Sequence, residues 1–235
     1  MYLAIDTATD DAGLAIYENG QAIDEVGWSS GQNHTTELLP RLNNLLEKNG
    51  LKPADIKGII VARGPGSFNG LRVGLSTAKG LAYSLKIPIA GINSLAAESC
   101  RYAEAGPSSV RRVAAVFEAG RGELATAIYG SEGGKWQQLT AEHITTAIAL
   151  ASETNEETVF CGEMAEETIS TIREGLGNMA VFPPTPIFSR VACLARLGAA
   201  RLDAGHSDDV ASLSVLYLKR PPITEARKMN YPILK

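Results

Sequence analysis

Cysteine is scarce in this chain. Cys100, Cys161 and Cys193 are odd in number, far apart and form no CxxC pair. That excludes a zinc ribbon and a disulfide framework, and it leaves buried thiols in a reducing compartment. Histidine is equally sparse, at positions 34, 143 and 206, and Leu38 stands four residues after His34 where a helical metal site would need a second histidine. No metal site is expected. No GxSxG elbow points to a serine hydrolase, and no Gly-Lys-Ser/Thr follows the glycines as it would in a phosphate-binding P-loop. Basic charge is not in excess either: 22 Lys and Arg against 26 Asp and Glu give a net charge of −4, which argues against autonomous nucleic-acid binding. No apolar run nears the roughly 20 residues that span a bilayer. Asp6 arrives before any signal-peptide core develops, so a cytoplasmic location is expected.

What is present suits a globular α/β protein: 235 residues, 45% hydrophobic and 20% charged. Apolar runs predict strands over 2–7, 12–17 and 21–28, with Glu18-Asn19-Gly20 as the hairpin signal between the last two. A leucine stripe (Leu38, Leu39, Leu42, Leu45, Leu46) predicts a helix over 35–49, with Pro40 awkward inside it and Gly50 as its cap. A strand over 57–62, a glycine-rich segment 63–70 and a helix over 69–85 follow. Next come a strand over 87–92 and a helix from the capping residue Ser94 to Ala103. Residues 104–109 read as a linker. Beyond it strands are predicted over 111–117, 124–129, 159–161 and 180–182, with helices from 162 to about 174 and over 189–204. A last element is expected around 210–218, then an extended basic tail.

The two halves echo each other. Ala4-Ile5-Asp6 through Ala15-Ile16-Tyr17 resembles Val116-Phe117-Glu118 through Ala127-Ile128-Tyr129, and in both an Ile-Tyr pair follows ten residues after the acid. Such a period suggests duplicated lobes, 1–104 and 105–218, followed by a tail over 219–235. Asp6 and Glu118 on facing hairpins would suit a hydrated Mg²⁺ that escorts nucleotide phosphates, or each would simply satisfy its own turn. Both readings stand.

Arg63-Gly64-Pro65-Gly66-Ser67-Phe68-Asn69-Gly70-Leu71-Arg72-Val73-Gly74 lies between a strand and a helix, where backbone amides favour anions. Gly64, Gly66 and Ser67 are the candidate anion contacts there. A tight connection without ligand is the alternative. Gly70, Gly74 and Ala78 form a smooth strip at i, i+4 and i+8, which suits close packing against a helix of this chain or of another subunit.

With Ala4-Ile5-Asp6-Thr7-Ala8-Thr9, His34-Thr35, the Arg63–Gly74 stretch and Tyr217-Leu218-Lys219, the chain resembles the TsaB (YeaZ) family over nearly its whole length. The resemblance implies a two-lobed actin-like ATPase (ASKHA, RNase H-like) α/β fold with duplicated lobes. It implies a non-catalytic subunit, a pseudoenzyme with no catalytic residue and no metal of its own, in the making of threonylcarbamoyladenosine (t6A) at position 37 of tRNAs reading ANN codons. A TsaD-type paralog would carry the transfer and the metal, a TsaE-type ATPase would support turnover, and tRNA would be an indirect partner. The docking surface implied comprises Leu38, Leu42, Leu45 and Leu46 on the first helix and Gly70, Gly74, Ala78 and Leu81 on the second, with a homodimer when the chain is alone. No cofactor is required. A vestigial nucleotide or anion site at Asp6, Gly64, Gly66, Ser67 and Glu118 would leave ATP or ADP with Mg²⁺ as a weaker expectation. An independent nucleotide-dependent phosphotransferase is the alternative. The chain departs from the family at Asn69, where threonine is usual, and at Glu118-Ala119-Gly120, where Asp-Ala-Arg is usual. Counted as lost, that arginine weakens the case for phosphate at the second hairpin.

Overall fold

A computed structural model describes residues 1–31, 33–103, 112–132, 135–183 and 189–219. The expected linker, residues 133–134 (where Gly133-Gly134 signals a hairpin), residues 184–188 (which include most of the run Pro183-Pro184-Thr185-Pro186) and the expected basic tail from Arg220 lie outside the described residues.

Strands β1 (Tyr2–Asp6), β2 (Asp11–Glu18) and β3 (Gln21–Ser29) form an antiparallel meander. Its β2–β3 turn uses Asn19 and Gly20, both at positive φ (51° and 86°), as a two-residue hairpin of that twist requires. Strands β4 (Ile59–Gly64) and β5 (Ile89–Asn93) extend the sheet in parallel from the other side of β1, giving the order β3-β2-β1-β4-β5. Helices α1 (His34–Lys48) and α2 (Phe68–Leu85) make the crossovers, and α3 (Ser94–Ala103) follows β5.

The second half repeats this plan. Strands β6 (Arg112–Gly120), β7 (Glu123–Glu132) and β8 (Lys135–Thr146) form the meander, and β9 (Thr158–Glu163) and β10 (Ala180–Val181) add in parallel beside β6. Helices α4 (Ala147–Glu153), α5 (Glu166–Leu176) and α6 (Arg190–Asp203) take the stations of α1, α2 and α3. The short echo around Asp6 and Glu118 therefore marks a duplicated topology.

Side chains of β1 alternate: Leu3 and Ile5 point into a core shared with Leu38, Leu42, Leu45 and Leu46 of α1 and with Leu75, Ala78 and Ala82 of α2. Ala4, with Ala15 and Ala62 from neighbouring strands, faces the other way onto α6. These small residues let α6 approach closely, and a side chain on Gly198 would collide with Ile60. In the second half, β6 turns Ala114 and Val116 towards α4 and α5, and Val113, Ala115 and Phe117 towards Leu95 and Tyr102 of α3. The final helices are thus exchanged, each covering the sheet of the other half.

Several local expectations change. Pro40 sits inside an unbroken α1; its missing N–H would have bonded the carbonyl of exposed Thr36, which water can serve. Asn93, rather than Ser94, caps α3, accepting from the Leu95 and Ala96 amides, and the Ser94 hydroxyl instead accepts from the Gly64 amide. Residues 210–218 form an irregular strap, anchored by buried Leu213 and by a Leu216 N–H donation to the Arg63 carbonyl.

Candidate functional site

The glycine-rich segment joins β4 to α2. Gly64 and Gly66 both have positive φ (112° and 156°), and the Gly64–Pro65 peptide is cis. A side chain on Gly66 would be driven into the Ala8 backbone, so glycine is what lets this loop lie against the β1–β2 turn. The Ser67 amide donates to the Ala8 carbonyl, and the Ser67 hydroxyl caps α2 by accepting from Gly70 N–H. Gly66, Ser67 and Phe68 form one wall of a cleft of about 640 Å³; Phe117 to Arg121 form the opposite wall, and Leu216 to Lys219 close a third side.

The five residues expected as an anion site are split. Gly66, Ser67 and Glu118 line this cleft, whereas Gly64 is buried behind it and Asp6 opens onto a different one. The reading of Asp6 and Glu118 as a facing Mg²⁺ pair is corrected accordingly, because both carboxylates have protein partners elsewhere. Glu118 accepts from the Ala165 amide and the Thr168 hydroxyl at the start of α5. Asp6 is buried and paired with Arg190, Nε to Oδ2 at 2.6 Å. Among the described residues no cluster of three or more Asp, Glu, His or Cys could hold a metal ion. The arginine counted as lost stands one place later: Arg121, at φ 59° between Gly120 and Gly122, lines the cleft. Lys219 lines it too and pairs with Glu123. Arg72 lies over the Phe68 ring at 3.8 Å and donates to the Tyr217 hydroxyl at 2.9 Å.

Arg190 was not singled out in the sequence, yet it ties together both halves. Its Nη2 donates to the Thr9 hydroxyl and the Asp11 carbonyl, both at 2.6 Å, and its Nη1 donates to Glu163 at 3.1 Å with Glu98 at 3.9 Å. The guanidinium also lies 5.4 Å from the Phe117 ring centre. Burial would favour losing its proton, but Asp6, Glu98 and Glu163 outweigh that and hold it charged. Burial also raises Glu163, against the opposing pull of Thr9 and Arg190. The only local signal was an arginine straight after the helix-capping Ser189. Its partners lie up to 184 residues away, which no spacing reveals.

The expected docking residues are also redistributed. Leu38, Leu45, Gly70, Gly74 and Ala78 face inward, and side chains on Gly70 and Gly74 would run into Thr7 of this same chain. The small-residue strip serves that internal contact rather than a partner helix. Leu42 and Leu46 are buried as well, each 5% exposed, yet with half-buried Leu81 they border an apolar groove of about 280 Å³ that Leu39, Asn43, Pro53, Ile56 and Leu85 also line. Leu39 is 56% exposed at this groove, and Tyr83 of α2, which does not line it, is 79% exposed. Leu39 was left out of the expected docking surface because a leucine stripe does not show which of its edges stays uncovered.

A family model described as "TsaD: tRNA N6-adenosine threonylcarbamoyltransferase" matches residues 28–183. The chain is 29% identical over 194 residues to "tRNA threonylcarbamoyladenosine biosynthesis protein TsaB" of Bacillus subtilis, covering 78% of this chain and 82% of that one. It belongs to that family, in the TsaB (YeaZ) group. The protein of the same name from Escherichia coli is 33% identical over 135 residues, 57% of each chain. A Pseudomonas aeruginosa structure described as similar to peptidase YEAZ superposes with a TM-score of 0.77 at 23% identity, over 93% of this chain and 99% of that one. The fold is accordingly the two-lobed actin-like α/β fold. No helix among the described residues is long and apolar enough to cross a membrane.

Proposed function

We propose that this chain is a non-catalytic subunit for t6A formation at position 37 of tRNAs reading ANN codons. It binds and supports a TsaD-type catalytic paralog. The observation that carries this reading is a pairing of opposites: the one buried acid at the end of β1, Asp6, is neutralised by Arg190, while an apolar groove between α1 and α2 stands open. Soluble proteins seldom leave such faces uncovered. The names of the TsaB relatives supply the pathway. In this reading the chain works in the cytoplasm and needs no cofactor. It meets tRNA only through the complex, shares that complex with a TsaE-type ATPase, and pairs with itself through the groove when the paralog is scarce.

The test is light scattering after size-exclusion chromatography, with the TsaD paralog of the same cell added. Wild type is expected to give a heterodimer, and Leu39→Glu to remain apart from the paralog with its own urea midpoint unchanged. A heterodimer that tolerates Leu39→Glu would move the interface elsewhere. No association would remove the partnership. A second reading, an independent ATP-dependent phosphotransferase, is favoured only by the cleft beside Ser67 with Arg121 and Lys219 on its walls. ATP turnover by the isolated chain would select it.

A further inference from the structure

Helices α3 and α6 pack against each other between the two sheets, and two of the three cysteines meet there. Cys100 of α3 and Cys193 of α6 are both buried, at 3% and 2% exposure, and the Cys193 thiol hydrogen-bonds to Cys100. One turn along α6, Arg196 donates from Nη2 to the Cys100 sulfur at 2.8 Å. The Cys100 sulfur therefore accepts from a thiol and a guanidinium at once. That hydrogen bond and burial push the Cys193 thiol far up, so it keeps its proton. The pair is not sealed. Cys193 and Arg196 line a surface cleft of about 550 Å³, bounded on the far side by the β2–β3 hairpin. Cys161 differs: it is buried in the second-half core, where burial raises it well above the ordinary thiol range.

We propose that Cys100 and Cys193 are a peroxide-sensitive dithiol that closes to a disulfide between α3 and α6. The Cys100 thiolate attacks a peroxide oxygen, breaking the O–O bond and forming a sulfenic acid, and hydroxide leaves. Cys193 then attacks that sulfur, the S–S bond forms, and the sulfenic oxygen leaves as water. Overall two thiols and one hydrogen peroxide give one disulfide and two waters, the sulfurs being oxidised and the peroxide reduced. A thiol reductant reverses it.

The experiment is to treat the reduced protein with hydrogen peroxide, then count its thiols in denaturant and map peptides without reduction. Titratable thiols are expected to fall from three to one, with a Cys100–Cys193 peptide pair lighter by two hydrogens and released by dithiothreitol. C161S is expected to give the same cross-link. C193S is expected to stop at a sulfenic acid on Cys100 that dimedone traps. Retention of all three thiols, loss of Cys161 alongside the others, or a cross-link only between molecules would each overturn the pair.

Discussion

At the scale of single residues, the Arg190 guanidinium has its Nε and both terminal nitrogens engaged, which makes it the most consequential side chain of the molecule. Replacing it with alanine strands the Asp6 carboxylate in the interior, whereas Glu98 keeps its ion pair with Arg101. Breaking a buried pair in this way costs about 3–5 kcal/mol. Arg190→Ala is therefore expected to lower the urea midpoint sharply, and Arg190→Lys to recover only part of the loss, because an ammonium cannot reproduce the planar fork. For the same reason Asp6→Ala does not test chemistry cleanly, since it removes the partner of a buried cation.

His34 is a second consequential residue. Burial holds it below the ordinary histidine range, against Asp10, Glu37 and Asp6, which pull the other way. The native state binds fewer protons than the unfolded one, so this contribution is present above the unfolded value of about 6.5 and is lost as pH falls from there through the native value. Urea midpoints are expected to decline on acidification below about pH 6.5, and His34→Asn to flatten that decline. An equal slope in the variant would assign the effect to other groups.

At the scale of elements, α2 has two unlike faces. Gly74 sits against Thr7, and Gly74→Ala should cost about 1–3 kcal/mol by overpacking, seen as a lower thermal midpoint. Tyr83→Ala, on the exposed face of the same helix, should change stability by less than about 0.5 kcal/mol. A larger charged residue at Gly74 would report on folding before it reported on binding. Elements with a clear period were legible in the sequence: the β1–β3 meander, the leucine-striped α1, α2 and α6 all lie within a few residues of their expected places. Strand β8 and the one-turn-longer-than-minimal α4 were not, because β8 is polar and half-exposed along much of its length and α4 has only seven residues. The 210–218 strap has apolar residues but takes its shape from β4, through the Arg63 carbonyl, so its own pattern misleads. In the site, the cleft walls at Gly66, Ser67 and Glu118 were legible, while the link from Asp6 to Arg190 depends on tertiary closure and left no local trace.

At the scale of the whole molecule, the exchange of α3 and α6 joins the halves more firmly than any surface contact between them would. The alanine-rich face of the first sheet is covered by residues 190–203, and α3 leaves its own half to cover the second sheet. A fragment of residues 1–103 is expected to lack a cooperative urea transition. Adding a fragment from residue 112 onward should restore one, and a sharp transition in the first fragment alone would refute that dependence. The same exchange sets a schedule during synthesis. When the ribosome has finished α3, the helix that must cover the first sheet has yet to be made. At about 5–20 residues per second the nascent chain carries that bare apolar face for several seconds. The molecule is thus a natural client for whatever shields unfinished chains at the exit tunnel, and slowing translation between α3 and α6 should lower its yield more than slowing it anywhere after α6.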